Sequence, residues 1–334
     1  MSRTGAVTAW APGRVNLIGD HTDYMGGLVL PMAVQLGTTI TAMRGGDMVE
    51  LTSAQMPGTV AFSLPVRHPE RIEPPWGRYV AGVAAEIEAA VGISGRVESD
   101  LPIGSGLSSS ASLEVATALA LGDAGDPADV ARRCQLAEQR ATGVPCGIMD
   151  QLASAAGVAG HALLIDCSTL AIDPVPVPDD AAVWVVHSGQ ERGLVDSAYA
   201  QRRAECEAAA AVVGPLPHAS ADDIAALPDP VVAARARHVR SECMRVTDFA
   251  AALRAGDLAV AGSLMLDSHR SLRDDFAVST DRLDSLVESL ASTRGVHGAR
   301  LTGAGFGGCV VALAEPGVDL GGWQVTASAG AHLR

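Results

Sequence analysis

Short apolar runs, separated by glycine and proline, alternate along the chain with longer alanine-rich stretches. The short runs predict strands at residues 7–10, 48–53, 59–64, 95–101, 162–166 and 182–187, and a pair of strands hinged near Gly37 within residues 28–43. The longer stretches predict helices at residues 76–91, 111–121, 127–142, 148–156, 195–213 and 281–292, with further helices up to residue 266. The chain is therefore predicted to combine sheets with helices.

A proline-rich segment at residues 173–180 interrupts this pattern. Proline lacks the backbone N–H that a central strand or a helix interior needs, so the segment is predicted to be neither. A chain of 334 residues is long enough for two domains that share a cleft. We therefore predict one domain over residues 1–175 and a second over residues 176–334.

Composition excludes several classes of partner. The formal net charge of −14 argues against nucleic acids and anionic membranes, which both attract clustered positive charge. The sequence has neither a signal peptide nor an apolar run approaching ~20 residues, so we expect no membrane partner. Six scattered cysteines without a C-x-x-C pair are typical of reduced thiols, which predicts a cytoplasmic protein.

A glycine-rich turn leads directly into the helix at residues 111–121. Gly104 and Gly106 let the backbone turn tightly, and residues 108–110 are three serines that open the helix. The free N–H groups and the positive dipole end of a helix favour an anion, most often phosphate. A glycine-serine linker or an ordinary helix cap explains this turn equally well when it is taken alone.

The chain contains no lysine, and all 24 of its basic residues are arginine. This absence excludes a Walker A loop, the β3 lysine of protein kinases and a pyridoxal Schiff base. The Rossmann fingerprint also fails, because Ser109 stands where that motif requires glycine or alanine. A nucleotide bound at this turn would therefore be held by backbone amides and hydroxyls, with positive charge supplied by arginine or a metal ion.

Three other segments carry candidate chemistry. Polar residues 20–23 follow an apolar run at residues 15–18, and loops at strand ends often hold functional groups, although a solvated turn is the commoner role. Asp150 lies in the first turn of a predicted helix, where the dipole favours a carboxylate. A second glycine-rich turn at residues 301–309 joins two predicted strands and is either a nucleotide-flanking loop or a β-bulge.

Taken together, these segments resemble the GHMP small-molecule kinases, and most closely their galactokinase branch. The matching segments are residues 13–24, 101–116, 146–151, 197–206 and 301–309, in the family's order. The resemblance implies an α+β fold, the two-domain GHMP kinase fold, with the active site in the interdomain cleft. It also implies ATP and Mg²⁺ as cofactors and a small-molecule sugar as the second substrate.

The resemblance assigns a role to each matching residue. Arg14 and Asp150 are implied to be catalytic, and Ser110 and Glu138 to bind Mg²⁺. The implied sugar-binding residues are Asp20, His21, Thr22, Asp23 and Tyr199. The residues implied to bind the ATP phosphates are Gly104, Ser105, Gly106, Leu107, Ser108, Ser109 and Ser110.

The implied reaction is transfer of the ATP γ-phosphate to the anomeric C1 hydroxyl of galactose, by a cytoplasmic monomer. The alternatives are a kinase for N-acetylgalactosamine or L-arabinose, and a galactose sensor without catalytic activity. Sensors of that type alter the serine-alanine part of the phosphate loop, whereas Ser110 and Ala111 are intact here. Catalysis is therefore the favoured prediction.

Two departures from the family pattern concern the sugar. Asp20 stands where the family has glutamate, and its carboxylate is withdrawn by one carbon–carbon bond, ~1.5 Å. We therefore expect galactose to be accepted with looser discrimination at C6. Residues 187–193 also replace the family's usual asparagine- and histidine-containing run, so the sequence specifies the kinase class more firmly than the sugar.

Overall fold

The computed structural model describes residues 4–102, 104–123, 125–143, 145–190 and 195–334. The first half of the chain forms β1 (Gly5–Asn16), β2 (Leu28–Val29), β3 (Pro31–Arg44), β4 (Met48–Ser53), β5 (Thr59–Ser63), α1 (Gly77–Glu86), β6 (Ile93–Ser99), α2 (Ser109–Leu121), α3 (Pro127–Thr142), α4 (Met149–Ala156), β7 (His161–Asp166) and β8 (Ala171–Pro176). The second half forms β9 (Ala182–His187), α5 (Val195–Val213), α6 (Ala221–Ala225), α7 (Pro230–Ala255), α8 (Leu258–Asp274), α9 (Asp281–Ala291), β10 (Val296–Thr302), β11 (Cys309–Ala314), β12 (Trp323–Val325) and β13 (His332–Leu333).

The largest sheet has the strand order β13-β1-β3-β6-β4-β5. In β4 and β5 buried residues alternate with exposed ones, so that Val49, Leu51, Val60 and Phe62 point into a core shared with α1 and α2. This alternation is typical of a sheet with one solvated face. Strand β13, at the end of the chain, pairs with β1 and thus belongs to this sheet.

A second sheet, ordered β10-β11-β9-β12, is covered on both faces. Every residue of β11 is buried, because alternate side chains enter two different cores. Val311 and Leu313 pack into the core that contains part of α7 and α8, whereas Val310 and Ala312 pack into the core that contains α9. Burial on both faces accounts for the continuous apolar run in the sequence.

A third sheet, ordered β2-β7-β8, explains the proline-rich segment. Part of that segment forms β8, which is an edge strand, the place in a sheet where proline is tolerated. The prediction that it is no helix or central strand is consistent with this position. The proposed domain boundary at residue 175 remains a prediction.

The predicted strand hinge at Gly37 is wrong. Strand β3 continues through Gly37, and the break between β2 and β3 falls at Leu30. Gly37 lies opposite Pro12, where the register of β1 and β3 shifts, and a Cβ at Gly37 would stand 2.3 Å from the carbonyl oxygen of Ala11. Glycine is therefore required for a close backbone approach and not for a bend.

The helix predicted at residues 76–91 is shorter in the structure, where α1 ends at Glu86.

Among the described residues, no helix combines the length and the apolar character that crossing a bilayer requires.

Candidate active site

A cavity of about 630 Å³ opens where the end of β1, the loop before α2, the start of α4 and the loop between β10 and β11 meet. Most of the residues predicted from the sequence line it. These are Arg14, Asp20, His21, Asp23, residues 104–110, Glu138, Asp150 and Tyr199.

Arg14 and Asp150 form a two-pronged ion pair in this cavity. The Nε and Nη2 atoms of Arg14 donate to Oδ1 and Oδ2 of Asp150 at 2.7 and 2.6 Å. The third nitrogen of the guanidinium, Nη1, donates to the carbonyl oxygen of Gly106 at 2.7 Å. The planar guanidinium therefore fixes the carboxylate and the glycine-rich turn relative to each other.

Gly13 brings Arg14 close to the glycine-rich turn. The backbone N–H of Arg14 donates to the carbonyl oxygen of Leu107 at 3.0 Å. A Cβ at Gly13 would lie only 2.5 Å from that same oxygen. The strand can approach the turn this closely only because residue 13 has no side chain.

The turn itself adopts a conformation suited to an anion. Gly104 and Gly106 have positive φ angles of 76° and 69°, and Ser108 has a φ of 57°, which is unusual for a residue with a side chain. The Ser108 hydroxyl donates to Oδ2 of Asp150 at 2.5 Å and so does not cap α2. The first N–H groups of α2 thus lack a cap from Ser108, and residues 108–110 line the cavity.

Glu138 belongs to a group of acidic residues joined by one amide. The side-chain amide of Gln151 donates to Glu138 at 2.6 Å and to Glu114 at 3.1 Å. Burial raises the pKa of both carboxyl groups, and the charge of Asp150 raises that of Glu138 further, while a hydrogen bond from Ser110 lowers it. Glu114 is fully buried, although nothing in the sequence distinguishes it from an ordinary helix residue.

His21 is fixed in the wall of the cavity by aromatic packing and two hydrogen bonds. Its ring lies 4.7 Å from that of Phe276 and 5.6 Å from that of Tyr199. Nε2 lies 3.2 Å from the carbonyl oxygen of Ala304, which can only accept, so Nε2 carries the proton and Nδ1 accepts from the Tyr24 hydroxyl. Burial lowers the pKa of His21 to about 3, so the ring is neutral.

Asp23 is held beside the Arg14–Asp150 pair. Its Oδ2 accepts from the backbone N–H of Met149 at 3.4 Å. Burial, together with the negative charge of Asp150, raises the pKa of Asp23 to about 6. Gly147 packs so closely that a Cβ there would stand 1.7 Å from Oδ2 of Asp23.

This contact predicts the effect of a single methyl group. Gly147→Ala should displace the Asp23 carboxylate. With Asp23 binding the sugar, as the resemblance implies, the sugar KM should then rise by about tenfold or more, because one charged hydrogen bond is lost. Steady-state kinetics at saturating ATP measure this effect. Gly45→Ala is the matched control, because Gly45, like Gly147, lacks a positive φ and a Cβ there would meet nothing within 4 Å. An unchanged KM in the Gly147 variant would contradict the role of this contact.

Asp20 is already bonded through both carboxylate oxygens. Oδ2 accepts from Nη2 of Arg300 at 2.5 Å, and Oδ1 accepts from the backbone N–H of Gly303 at 3.0 Å. Burial raises the pKa of Asp20, and the Arg300 guanidinium opposes that rise. Asp20, which the resemblance implied to bind the sugar, is thus held in place by Arg300 and Gly303 from the second half of the chain.

Thr22, which the resemblance implied to bind the sugar, has a structural role for its side chain, and sugar binding by this residue stays a prediction. Thr22 is fully buried and does not line the cavity. Its hydroxyl lies 2.9 Å from the carbonyl oxygen of Gly19 and 2.7 Å from that of Leu28. The side chain therefore closes the turn after β1, a common use of threonine in loops.

Several lining residues were not predicted. Gly303 and Ala304 place the second glycine-rich turn in the cavity wall, in contact with Asp20 and His21. His187, at the end of β9, also lines the cavity, and its Nδ1 accepts from the backbone N–H of Gly189 at 3.0 Å. Within the unusual segment 187–193, residues 191–193 lie outside the described residues.

Comparison with known proteins identifies the family. Residues 78–158 match the family model of the GHMP kinase N-terminal domain, and residues 249–320 match that of the GHMP kinase C-terminal domain. Residues 2–44 match the galactokinase galactose-binding signature. Galactokinase from Homo sapiens is 47% identical over 91% of this chain and 83% of the relative. This chain belongs to the galactokinase family of GHMP kinases.

Other members of the galactokinase family agree with this assignment. Galactokinase from Roseiflexus sp. (strain RS-1) is 45% identical over 91% of this chain and 82% of the relative. The crystal structure of Lactococcus lactis galactokinase complexed with galactose superposes with a TM-score of 0.90 at 32% identity and covers 98% of this chain and 95% of that one. The predicted family, the α+β GHMP kinase fold and the enzyme class are confirmed.

A more distant structure shares the fold alone. The mevalonate kinase of Methanococcus jannaschii superposes with a TM-score of 0.66 at 19% identity, covering 93% of this chain and 90% of that one.

Proposed function

We propose that this chain transfers the γ-phosphate of ATP to the C1 hydroxyl of galactose. The observation that carries the proposal is the Arg14–Asp150 pair, which is bonded to the glycine-rich turn and lines the same cavity as Asp23 and Tyr199. A phosphate group at the turn and a sugar hydroxyl at Asp150 would therefore be neighbours. Membership of the galactokinase family supports both substrates.

The residues of the pair have distinct tasks in this mechanism. Phosphoryl transfer depends on positioning and on neutralising the charge of the transferred group more than on covalent help. Asp150 accepts the proton of the attacking hydroxyl or orients that hydroxyl, and Ser108 and Arg14 hold the carboxylate in place. Arg14 also brings positive charge beside the turn, in a chain that has no lysine.

Mg²⁺ fits the oxygen donors at the other side of the turn. Glu138 offers a carboxylate and Ser110 a hydroxyl in the same cavity, and both are hard ligands of the kind that Mg²⁺ prefers. Among the described residues, no group of three or more His, Cys, Asp or Glu side chains is arranged to hold a metal ion. Glu138 and Ser110 would hold the ion together with ATP phosphates, whose charge it would neutralise.

Removal of either donor should weaken the use of Mg²⁺. Ser110→Ala and Glu138→Ala should each raise the Mg²⁺ concentration that gives half-maximal rate, because each deletes an oxygen ligand. A Mg²⁺ titration at fixed ATP measures the midpoint. Ser289→Ala, an exposed helical serine in α9 that does not line the cavity, is the control. Unchanged midpoints in both variants would place the metal ion elsewhere.

The pKa of Asp23 predicts how sugar binding depends on pH. Below about pH 6 Asp23 gains a proton and loses its charge, so kcat/KM for galactose should fall as the pH decreases through 6. Because the folded-state pKa lies above the ordinary 3.8, the contribution of Asp23 to folding stability should change in the opposite direction and rise as the pH falls from 6 towards 4. The pH profiles of kcat/KM and of thermal unfolding, in wild type and in Asp23→Asn, test both signs. A wild-type kcat/KM that stays level through pH 6 would contradict the assignment.

The function itself is tested by ADP release across a panel of sugars. We expect galactose to be preferred over N-acetylgalactosamine and L-arabinose, and the relatives give these two alternatives no support. ADP release with galactose excludes the sensor hypothesis, whereas galactose binding without ADP release would favour it. We further propose that the enzyme acts as a monomer in the cytoplasm, the compartment that its scattered cysteines favour.

A further inference from the structure

Arg300 is a fully buried arginine in β10, behind the wall of the cavity. Its guanidinium donates to Oδ2 of Asp20 at 2.5 Å, to the hydroxyl of Ser268 at 3.1 Å and to the carbonyl oxygen of Leu17 at 3.3 Å. Burying a charge is unfavourable unless partners satisfy it. Two of these partners, Asp20 and Leu17, lie in the loop after β1, so the arginine holds that loop in place.

A second charged pair supports Arg300. Glu242 in α7 accepts from the Ser268 hydroxyl at 2.5 Å and from Arg245 at 2.7 Å, and it also accepts from the backbone N–H of Gly19 at 3.0 Å. Burial alone raises the pKa of Glu242, but Arg245 and other nearby groups lower it to about 2, so the side chain is ionised. Asp20, Arg300, Glu242 and Arg245 thus form a buried ion cluster with two charges of each sign.

The main chain of Asp20 is held as firmly as its side chain. The carbonyl oxygen of Asp20 can only accept, so Nε2 of His238, at 3.1 Å, carries a proton and donates it. Burial lowers the pKa of His238 to about 4, which leaves the ring neutral and able to accept from Ser271 through Nδ1. Helix α7, strand β10 and the turn at Gly303 therefore all fix one residue of the sugar side of the cavity.

We propose that Arg300 is a positioning residue for the sugar. Through the buried ion cluster, Arg300 determines the position of the Asp20 carboxylate. This inference rests on the proposed function. Because Arg300 binds Oδ2 from the protein interior, the short Asp20 side chain cannot move further into the cavity to contact a ligand. Sugar affinity and discrimination at C6 then depend on Arg300, whereas the chemistry at Arg14 and Asp150 does not.

The experiment combines binding with kinetics in the full-length protein. For wild type, Arg300→Lys, Ser268→Ala and Arg133→Lys, the Kd for galactose is measured by calorimetry, and kcat and the ATP KM by ADP release. Arg300→Lys should weaken galactose binding by about tenfold or more, and Ser268→Ala should do so less strongly. In both variants kcat and the ATP KM should stay within about threefold of wild type. Arg133→Lys alters a two-pronged pair with Asp123 outside the cavity and should change none of these values.

Two further measurements separate positioning from a general structural role. The ratio of the Kd values for 6-deoxygalactose and galactose should change in Arg300→Lys, because Asp20 no longer stands at the same place. In an Asp20→Asn background, Arg300→Lys should raise the galactose Kd by less than a further threefold, because the effect of Arg300 is transmitted through Asp20.

Several outcomes would overturn the proposal. These are an unchanged galactose Kd, a loss of kcat alone, or multiplicative effects of Arg300→Lys and Asp20→Asn on binding. If thermal unfolding shows that Arg300→Lys does not fold, Ser268→Ala decides the same question. Failure of the proposed function is recognised separately, because the wild type would then bind galactose without releasing ADP.

Discussion

Asp150→Asn should lower kcat by about a thousandfold, within the range of about 10²–10⁴ that positioned proton acceptors contribute. The substitution keeps the shape of the side chain but removes the negative charge that faces Arg14. It also turns an N–H donor towards the guanidinium, where two oxygens now accept at 2.7 and 2.6 Å. Galactose and ATP binding should stay within about tenfold of wild type, because other residues hold both substrates.

Matched variants separate the charge of Asp150 from its placement. Ser108→Ala removes one hydrogen bond to Oδ2 while the carboxylate stays ionised, so its loss of kcat should be about tenfold at most. Asp123→Asn disturbs another pair with arginine, Arg133, away from the cavity and should leave kcat unchanged. Single-turnover kinetics with preformed substrate complexes measure the chemical step. More than a tenth of the wild-type kcat in Asp150→Asn would remove this residue from the catalytic role.

The local structure of the chain was largely predictable because local patterns determine it. The alternation in β4 and β5 and the continuous apolar run of β9 correspond to sheets covered on one face and on two. Pro127 and Asp126 place the start of α3 correctly, with the Asp126 side chain accepting from the backbone N–H of Ala128. Gly37 was misinterpreted because a glycine that allows close approach looks the same in sequence as one that bends the chain.

Part of the site was visible in the sequence because its residues stand at element ends. Arg14 and Asp150 lie near the end of a strand and the start of a helix, where polar side chains in an apolar context attract attention. Thr22 has the same context, yet its hydroxyl turns back to two carbonyl oxygens. A polar turn predicts that a site is near, but it does not determine which side chains face the ligand.

The supporting residues could not be predicted, since they act through contacts between distant parts of the chain. Asp20 and Arg300 are 280 positions apart, and Gly147, in the loop before α4, packs against Asp23. Glu114 and Glu242 lie within helices, where acidic residues are usually solvated, and only packing makes them buried. The second half of the chain thus positions sugar-side residues that the motifs place in the first half.

Arg14→Lys should be the second severe substitution, with a loss of kcat of about a hundredfold or more. Lysine keeps the charge but is a point donor, whereas the guanidinium of Arg14 bonds both Asp150 oxygens and the Gly106 carbonyl at once. Arginines that stabilise phosphoryl transfer in other enzymes contribute about 10³–10⁵ in kcat, so a charge that remains but is misplaced should recover only part of that. The ATP KM should change less than kcat, because the substitution leaves intact the backbone of the turn that we propose to bind the phosphates.

The double variant Arg14→Lys/Asp150→Asn tests whether the two residues act as one unit. If Arg14 acts by holding Asp150 as well as by neutralising charge, the Asp150→Asn variant has already lost the first of these effects. Arg14→Lys should therefore lower kcat less in that variant than in the wild type. The loss of kcat in the double variant should therefore be smaller than the product of the two single losses, by about tenfold or more. Gly13→Ala should resemble Arg14→Lys, because its Cβ would stand 2.5 Å from the carbonyl oxygen of Leu107 and push Arg14 away from the turn. Fully multiplicative losses would mean that Arg14 acts on the phosphate independently of the carboxylate to which it is bonded.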